Sequence, residues 1–268
     1  MKLRTFSSAA IIAAIALGSV IPATSAFADE AEGNPRELDS MGSVRVLEDD
    51  GTEGPTTPID PENPDTELPE VEWPEVVVNP DRGPLMIENV TNLEFGEIRT
   101  SANRVEKHAE AVQLSDDTER GNFVQWRDTR AGGTFGYELQ ASLTKQFTGV
   151  ESNTNVLTGS TIDFANGFME ADVRDGNNEN PAPTVTNNAF TLAFGGGAET
   201  VVTASQEDEE GKGRYIMAFG DSREDTAGTS VKLSVPANTA TNMALDDYEA
   251  IVTWSLVAGP TDEVDSEE

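Results

Sequence analysis

The chain has no cysteine and a single histidine, His108, in 268 residues. Without cysteine there are no disulfides, no thiolate metal sites and no thiol chemistry. One histidine in a polar stretch, with no Gly-x-Ser-x-Gly elbow, offers no nucleophile–base pair. Cations are scarce: 17 Lys and Arg stand against 49 Asp and Glu, a formal charge of −32. Nucleic-acid binding rests on cations that neutralise phosphates, so that class is disfavoured. No apolar run is long enough for a spanning helix, and no fixed-period repeat is present. Two acids could hydrolyse a sugar in principle, but 49 carboxylates single out no pair. The expectation is therefore a non-enzyme with no catalytic residue, no cofactor and no metal site. Asp172-Val-Arg-Asp175-Gly176-Asn177 comes nearest to a metal loop, but lacks the spacing and closing Glu of a Ca²⁺ site. The acidic run Glu207–Glu210 reads as a solvated hairpin tip.

What is present begins with a targeting segment. Lys2 and Arg4 precede a mostly apolar run, Ala9–Ile21, and Ala26-Phe27-Ala28 forms an A-x-A-like cleavage site. Residues 1–28 are expected to be a secretory signal peptide. Its removal leaves about 15 cations against 49 acids, a charge of about −34, which favours solubility and discourages non-specific contact with anionic surfaces. No hydrophobic tail or wall-sorting stretch is seen at the C-terminus. Export and release are expected, with surface retention only through binding.

Residues 29–81 form an acidic, proline-rich block. Nine of the 14 prolines lie between Pro35 and Pro84, interleaved with acids. Such a composition reads as a disordered or semi-rigid spacer. Within it, Val71–Pro80 is apolar and holds Trp73, which suggests either an edge strand docked on the domain or a short segment recognised by a partner.

From residue 82 the pattern is short strands punctuated by Gly, Asn and Asp. Phe135, Tyr137, Leu139, Ala141 and Leu143 share one face of a period-2 strand. Only Val105–Leu114 has any helical character. This predicts an all-β, antiparallel, sandwich-like single domain over 82–262, with an acidic tail at 263–268. The last strand, Tyr248–Leu256, is expected to close the core. Tyr248, Ala250, Val252, Trp254 and Leu256 fall on one face, with Ile251, Thr253 and Ser255 on the other. An aromatic so placed is more often core than ligand platform, so Trp254 and Tyr137 read at least partly as structural. Asp128 and Arg130, two residues apart, either anchor the glycine turn that follows or meet amide and carboxylate groups of a peptide.

Three stretches carry a family resemblance. Gly83-Pro84-Leu85-Met86-Ile87, leading to Leu93-Glu94-Phe95-Gly96, is similar to the opening of the WxL family. Val124-Gln125, Asp128 and Arg130 before a glycine turn resemble the lead-in to its first signature. Tyr248-x-Ala250-x-x-Thr253-Trp254-x-Leu256-x-x-x-Pro260 resembles its second. There is one departure. Where the first signature reads Trp-x-Leu, this chain has Tyr137-Glu138-Leu139, which keeps a flat ring and adds a hydroxyl. Trp126 stands where the family tends to have a small apolar residue.

The resemblance implies a secreted, Gram-positive surface protein held non-covalently on peptidoglycan by its C-terminal domain. Trp254, Leu256, Tyr137, Leu139, Asp128 and Arg130 are the candidate site residues. It also implies surface partners, a WxL-interacting protein and a covalently anchored surface protein. The alternative is a protein–protein subunit that docks on such a partner, with Trp73 as a candidate contact. Adhesion to host matrix is a third reading, for which no residue is singled out.

Overall fold

The computed structural model describes residues 41–49, 57–174 and 180–259. The expected signal peptide, the acidic tail and Pro260 lie outside the described residues. The chain divides into two units, Met1–Arg45 and Val46–Glu268. In the first, the described residues 41–45 are exposed and carry no secondary structure. The second holds all the strands.

In chain order these are β1 (Val71–Trp73), β2 (Val76–Val78), β3 (Leu85–Thr91), β4 (Val105–His108), β5 (Val112–Leu114), β6 (Glu119–Arg120), β7 (Asn122–Asp128) and β8 (Tyr137–Gly149). They continue with β9 (Thr161–Phe164), β10 (Gly167–Ala171), β11 (Thr184–Val185), β12 (Phe190–Ala193), β13 (Glu199–Ala204), β14 (Gly213–Phe219), β15 (Val231–Val235) and β16 (Tyr248–Ala258). The sole α-helix among the described residues is one short piece, α1 (Ala237–Asn242). The all-β expectation holds. Every pairing is antiparallel, in four sheets ordered β1-β5-β6, β10-β14-β7-β3-β2, β11-β13-β8-β16 and β12-β9-β15-β4.

The three larger sheets enclose one core. β8 supplies Tyr137, Leu139, Ala141 and Leu143, all buried, while the alternate residues Glu138, Gln140 and Ser142 are partly exposed. The strand starts at Tyr137 rather than at Phe135, because Gly136 adopts φ +81, a left-handed conformation that breaks the ladder. On β16 the predicted face is the one that packs inward: Tyr248, Ala250, Val252, Trp254 and Leu256 all rest on the core. Phe164, Phe190, Phe219 and Trp254 form an aromatic cluster with ring centroids 4.8–6.0 Å apart.

β7 departs from period 2, because all seven of its residues are buried. Val124 and Trp126 face the main core, as do Tyr215, Met217 and Phe219 of the neighbouring β14. Phe123, Ile216 and Ala218 face the opposite way, into a second cluster. What covers that second face is the segment assigned above to the spacer. Ile59 and Leu68 are fully or almost fully buried there, with Val71 and Val76 packed beside them. The folded body therefore starts before residue 82.

Four groups of contacts explain why so polar a segment orders. Ile59 N–H donates to the Gln125 side-chain oxygen at 2.8 Å. Asp60 receives a two-pronged contact from Arg120, both bonds 2.7 Å. Glu62 accepts from the backbone and hydroxyl of Ser222 at 2.7 and 2.6 Å. β2 then adds an edge strand to the five-stranded sheet, the edge-strand reading of Val71–Pro80. A few apolar anchors plus paired charges offset the ordering cost that average composition suggested could not be met.

Two local expectations change. Val105–Leu114 is two strands, β4 and β5, because its apolar residues are used to pair with β15 and β1. Gln206–Gly213 is not a hairpin tip. It carries the chain from β13 in one sheet to β14 in another.

On the covered face the charges are paired. Glu88, fully buried, accepts from Arg214 at 2.6 Å and from Gln125 at 3.0 Å. Arg214 also reaches Asp172 at 2.9 Å, and Arg174 grips Asp172 with two bonds of 2.8 Å. Burial pushes the Asp172 carboxyl up, but the hydrogen bonds from Arg174 and Arg214 outweigh it and hold the group down to about 2. A depressed folded pKa gives stability that is present above the unfolded value and lost as pH falls. Thermal melts of wild type and Asp172→Asn should therefore differ most above about pH 4. The gap should close as pH drops toward about 2. A gap that stayed constant down to that pH would contradict this assignment.

Candidate functional site

The last strand lies at the edge of its sheet, pairing with β8 alone. This position leaves Trp254 half-buried. One side of the indole packs on Phe219, 5.9 Å between centroids and stacked, and its edge meets Phe164 at 6.0 Å. The open side faces β3. Between the two strands runs a cleft of about 270 Å³ lined by Asn79, Asp81, Arg82, Leu85, Met86, Ile87, Trp254, Ser255 and Leu256. The lining is mixed: Leu85, Met86, Ile87, Trp254 and Leu256 stand beside one carboxylate, one guanidinium, one amide and the Ser255 hydroxyl. Asn79 is fixed by donating to the Ile87 carbonyl at 2.8 Å while accepting from Asp81 N–H at 3.0 Å. The cleft joins the opening stretch at Gly83–Ile87 to the closing one at Trp254–Leu256, which are far apart in sequence.

The two signature stretches are also neighbours. In the β8–β16 ladder Leu256 is opposite Leu139, Trp254 opposite Ala141 and Ala258 opposite Tyr137. Leu139 and Tyr137 are buried and do not line the cleft. The Tyr137 hydroxyl accepts from the Trp126 indole N–H at 2.8 Å and donates to the Gly211 carbonyl at 3.3 Å. Burial pushes this phenol well above its usual range despite the indole donor, so it stays protonated. Trp126 itself stacks on Tyr215 at 5.9 Å. Together the Tyr137 ring and the Trp126 indole fill the space between the sheets. Gly211 is needed beside them: a Cβ there would approach the Tyr137 ring to 2.7 Å, and its φ is +89.

Asp128 and Arg130 form the turn anchor rather than part of the cleft lining. Arg130 holds the buried Asp128 carboxylate through Nε at 3.0 Å and Nη2 at 2.7 Å, and donates to the Gly136 carbonyl at 3.0 Å. Gly259 N–H bonds the same carbonyl at 3.0 Å, so this clamp fixes the end of β16. Lys212 completes it, 3.2 Å from Asp128 and 2.9 Å from the Arg130 carbonyl. Sequence reasoning missed Lys212. Its signal was being the only cation in the acidic run Gln206–Gly213.

Asn79, Asp81 and Arg82 were missed too, because they fall at the edge of the expected spacer. Trp73 is 45% exposed, away from the cleft lining, with its indole N–H on Glu110 at 2.8 Å. Among the described residues no group of three or more acidic or histidine side chains could hold a metal. Asp172 is engaged by arginines, and residues 175–179 lie outside the described residues.

The fold and cleft thus define an all-β recognition module in which two sequence signatures support one edge strand. The chain belongs to the WxL domain surface cell wall-binding family, whose model matches residues 33–260. That span takes in the proline-rich cover as well as the sheets. No curated protein and no solved structure matches the chain. Membership places the protein at the cell surface in wall binding, and the family is not an enzyme family. Among the described residues no helix is long and apolar enough to cross a membrane.

If Trp126 and Tyr137 fill one space, their substitutions are coupled. Tyr137→Trp alone should destabilise by about 1–3 kcal/mol through overpacking. Trp126→Ala alone should cost about 3–5 kcal/mol as a cavity. The double variant should cost at least about 1 kcal/mol less than the sum, measured by denaturant unfolding. Strict additivity would show that the two rings do not share the site.

Proposed function

We propose that the wall ligand is peptidoglycan, contacted directly and non-covalently, and that the cleft beside Trp254 is one of its contact points. The protein is exported by its N-terminal segment and retained by this binding. The observation that supports the reading is the cleft itself, where the opening stretch and the Trp254–Leu256 signature of a wall-binding family meet in one amphipathic groove. The apolar side chains of the lining, Trp254 and Leu256 among them, suit a sugar face or an alanine-type methyl group. Arg82 and Asp81 at the rim suit the carboxylate and amine of a peptide stem.

A net charge of −32 gives no bulk attraction to an anionic wall, so binding rests on close contacts. Salt should leave it unchanged or strengthen it by screening repulsion.

A second reading has its own observation. β2 is an edge strand with Val77 and Val78 exposed, and Trp73 lies exposed three residues before it. An extended segment of a partner, such as a WxL-interacting or anchored surface protein, could add to that edge. Wall attachment would then be indirect.

Sedimentation with purified peptidoglycan, stripped of protein and anionic polymer, separates the two. The chain from residue 29 should sediment alone. Arg82→Ala, a rim change outside the core, should weaken sedimentation severalfold, and Trp254→Ala more, with folding checked by circular dichroism. A folded wild-type chain that stays in solution would overturn direct binding.

A further inference from the structure

A second concavity lies where the β8–β9 connection meets the end of β12. It measures about 300 Å³ and is lined by Gln146, Val156, Thr158, Gly159, Ser160, Ala193 and Phe194. Phe194 is 58% exposed, the most exposed aromatic side chain among the described residues. It follows the last residue of β12 and runs into Gly195-Gly196-Gly197, a turn closed by Gly196 N–H on the Ala193 carbonyl at 2.9 Å. Gly195 and Gly197 have φ +80 and +92, and a Cβ at either would meet nothing within 4 Å. The turn thus presents the ring while leaving the space beside it open.

A single exposed apolar side chain needs no explanation. Three further features set this one apart. Val156, 41% exposed, lines the same hollow as Phe194. No lining residue is ionisable, in a chain with 66 Asp, Glu, Lys and Arg side chains by the counts of 49 and 17. And Ser160, 1% exposed, has a buried hydroxyl without a hydrogen-bond partner among the described residues. Size and lining match a small-ligand pocket, mostly apolar with a few polar groups.

We infer that this hollow is a subsite for one neutral N-acetylated sugar of the wall glycan, with Phe194 as its stacking platform. The inference rests on the wall-binding reading and names a place and a chemistry for it. A pyranose ring has an apolar C–H face that stacks on a phenyl ring. Its acetamido methyl suits Val156 and Ala193, and its hydroxyls suit Thr158 at the exposed rim. Ser160 is the buried polar group of the lining, and its hydroxyl has no hydrogen-bond partner among the described residues. Stem peptides and anionic polymers carry charge, and nothing in this lining would pair with it. The cleft beside Trp254, with Asp81 and Arg82, is the place for charged groups.

The test uses the chain from residue 29 and the soluble tetramer of N-acetylglucosamine, followed by ligand-observed NMR at millimolar sugar, with cellotetraose as the sugar lacking acetamido groups. The same proteins are sedimented with purified peptidoglycan. Wild type should bind the N-acetylated tetramer and bind cellotetraose at least tenfold more weakly. Phe194→Ala should lose the tetramer by about tenfold or more and still fold, and Phe194→Trp should retain it. If wild type sediments with peptidoglycan but does not bind the tetramer, or Phe194→Ala binds it unchanged, the subsite is wrong while the wall reading stands. If wild type neither sediments nor binds the tetramer, the wall reading fails and takes the subsite with it.

Discussion

The structure depends on one strand being buried on both faces. β7 places Val124 and Trp126 in the main core and Phe123 in the second cluster. No single sheet-on-sheet contact can cover both sides. The far side also carries Gln125 and, from the next strand, the fully buried Glu88, so its cover must bring polar partners as well as apolar ones. The proline-rich segment does this: Ile59 and Leu68 fill the apolar gap, and the Ile59 N–H answers Gln125. Arg214, Arg174 and Asp172 continue the pairing outward. Buried ion pairs of this kind add little net stability, but removing one partner leaves a charge stranded, at a cost of about 3–5 kcal/mol. The network therefore specifies where the cover sits more than it strengthens it.

The candidate site inherits its geometry from that frame. β3 pairs with β7, and β16 pairs with β8, so the cleft between β3 and β16 is set by two ladders that meet in the core. The Trp126–Tyr137 hydrogen bond ties β7 to β8 from within. The Asp128–Arg130–Lys212 clamp ties the same strands at their ends and holds the carbonyl on which β16 closes. Residues of the first signature region thus act on the second by holding it in place. Trp254 is positioned by Phe164 and Phe219 on one side and left open on the other.

Much of this was legible in the sequence where the signal is local. The period-2 run Tyr137–Leu143 gave the core face of β8, and the alternation in Tyr248–Leu256 gave the core face of β16. Asp128 and Arg130, two apart before a glycine turn, suggested the anchor they form. What was not legible is non-local. Ile59 and Leu68 are isolated among acids and prolines, so any composition window reads the segment as spacer. Their burial comes from Phe123, Ile216 and Ala218, far along the chain. Val105–Leu114 carries no clear period because β4 and β5 are short and join different sheets. The cleft is a meeting of residues 79–87 with 254–256, which no spacing rule announces. Phe194 looked like the end of a strand, and only its exposure beside an uncharged hollow makes it a candidate.

The central claim is that residues 57–81 are part of the folded body. The most direct measurement compares thermal unfolding of the chain from residue 41 with one that begins at residue 82. Losing Ile59, Leu68, Val71 and Val76 uncovers a whole sheet face, which at about 1.5–3 kcal/mol per buried side chain is several kcal/mol. At about 2–4 °C per kcal/mol the account predicts that the shorter chain melts at least 10 °C lower, or without cooperativity. A shorter chain that melts cooperatively at the same temperature would show that β7 does not need its cover, and the account would be wrong.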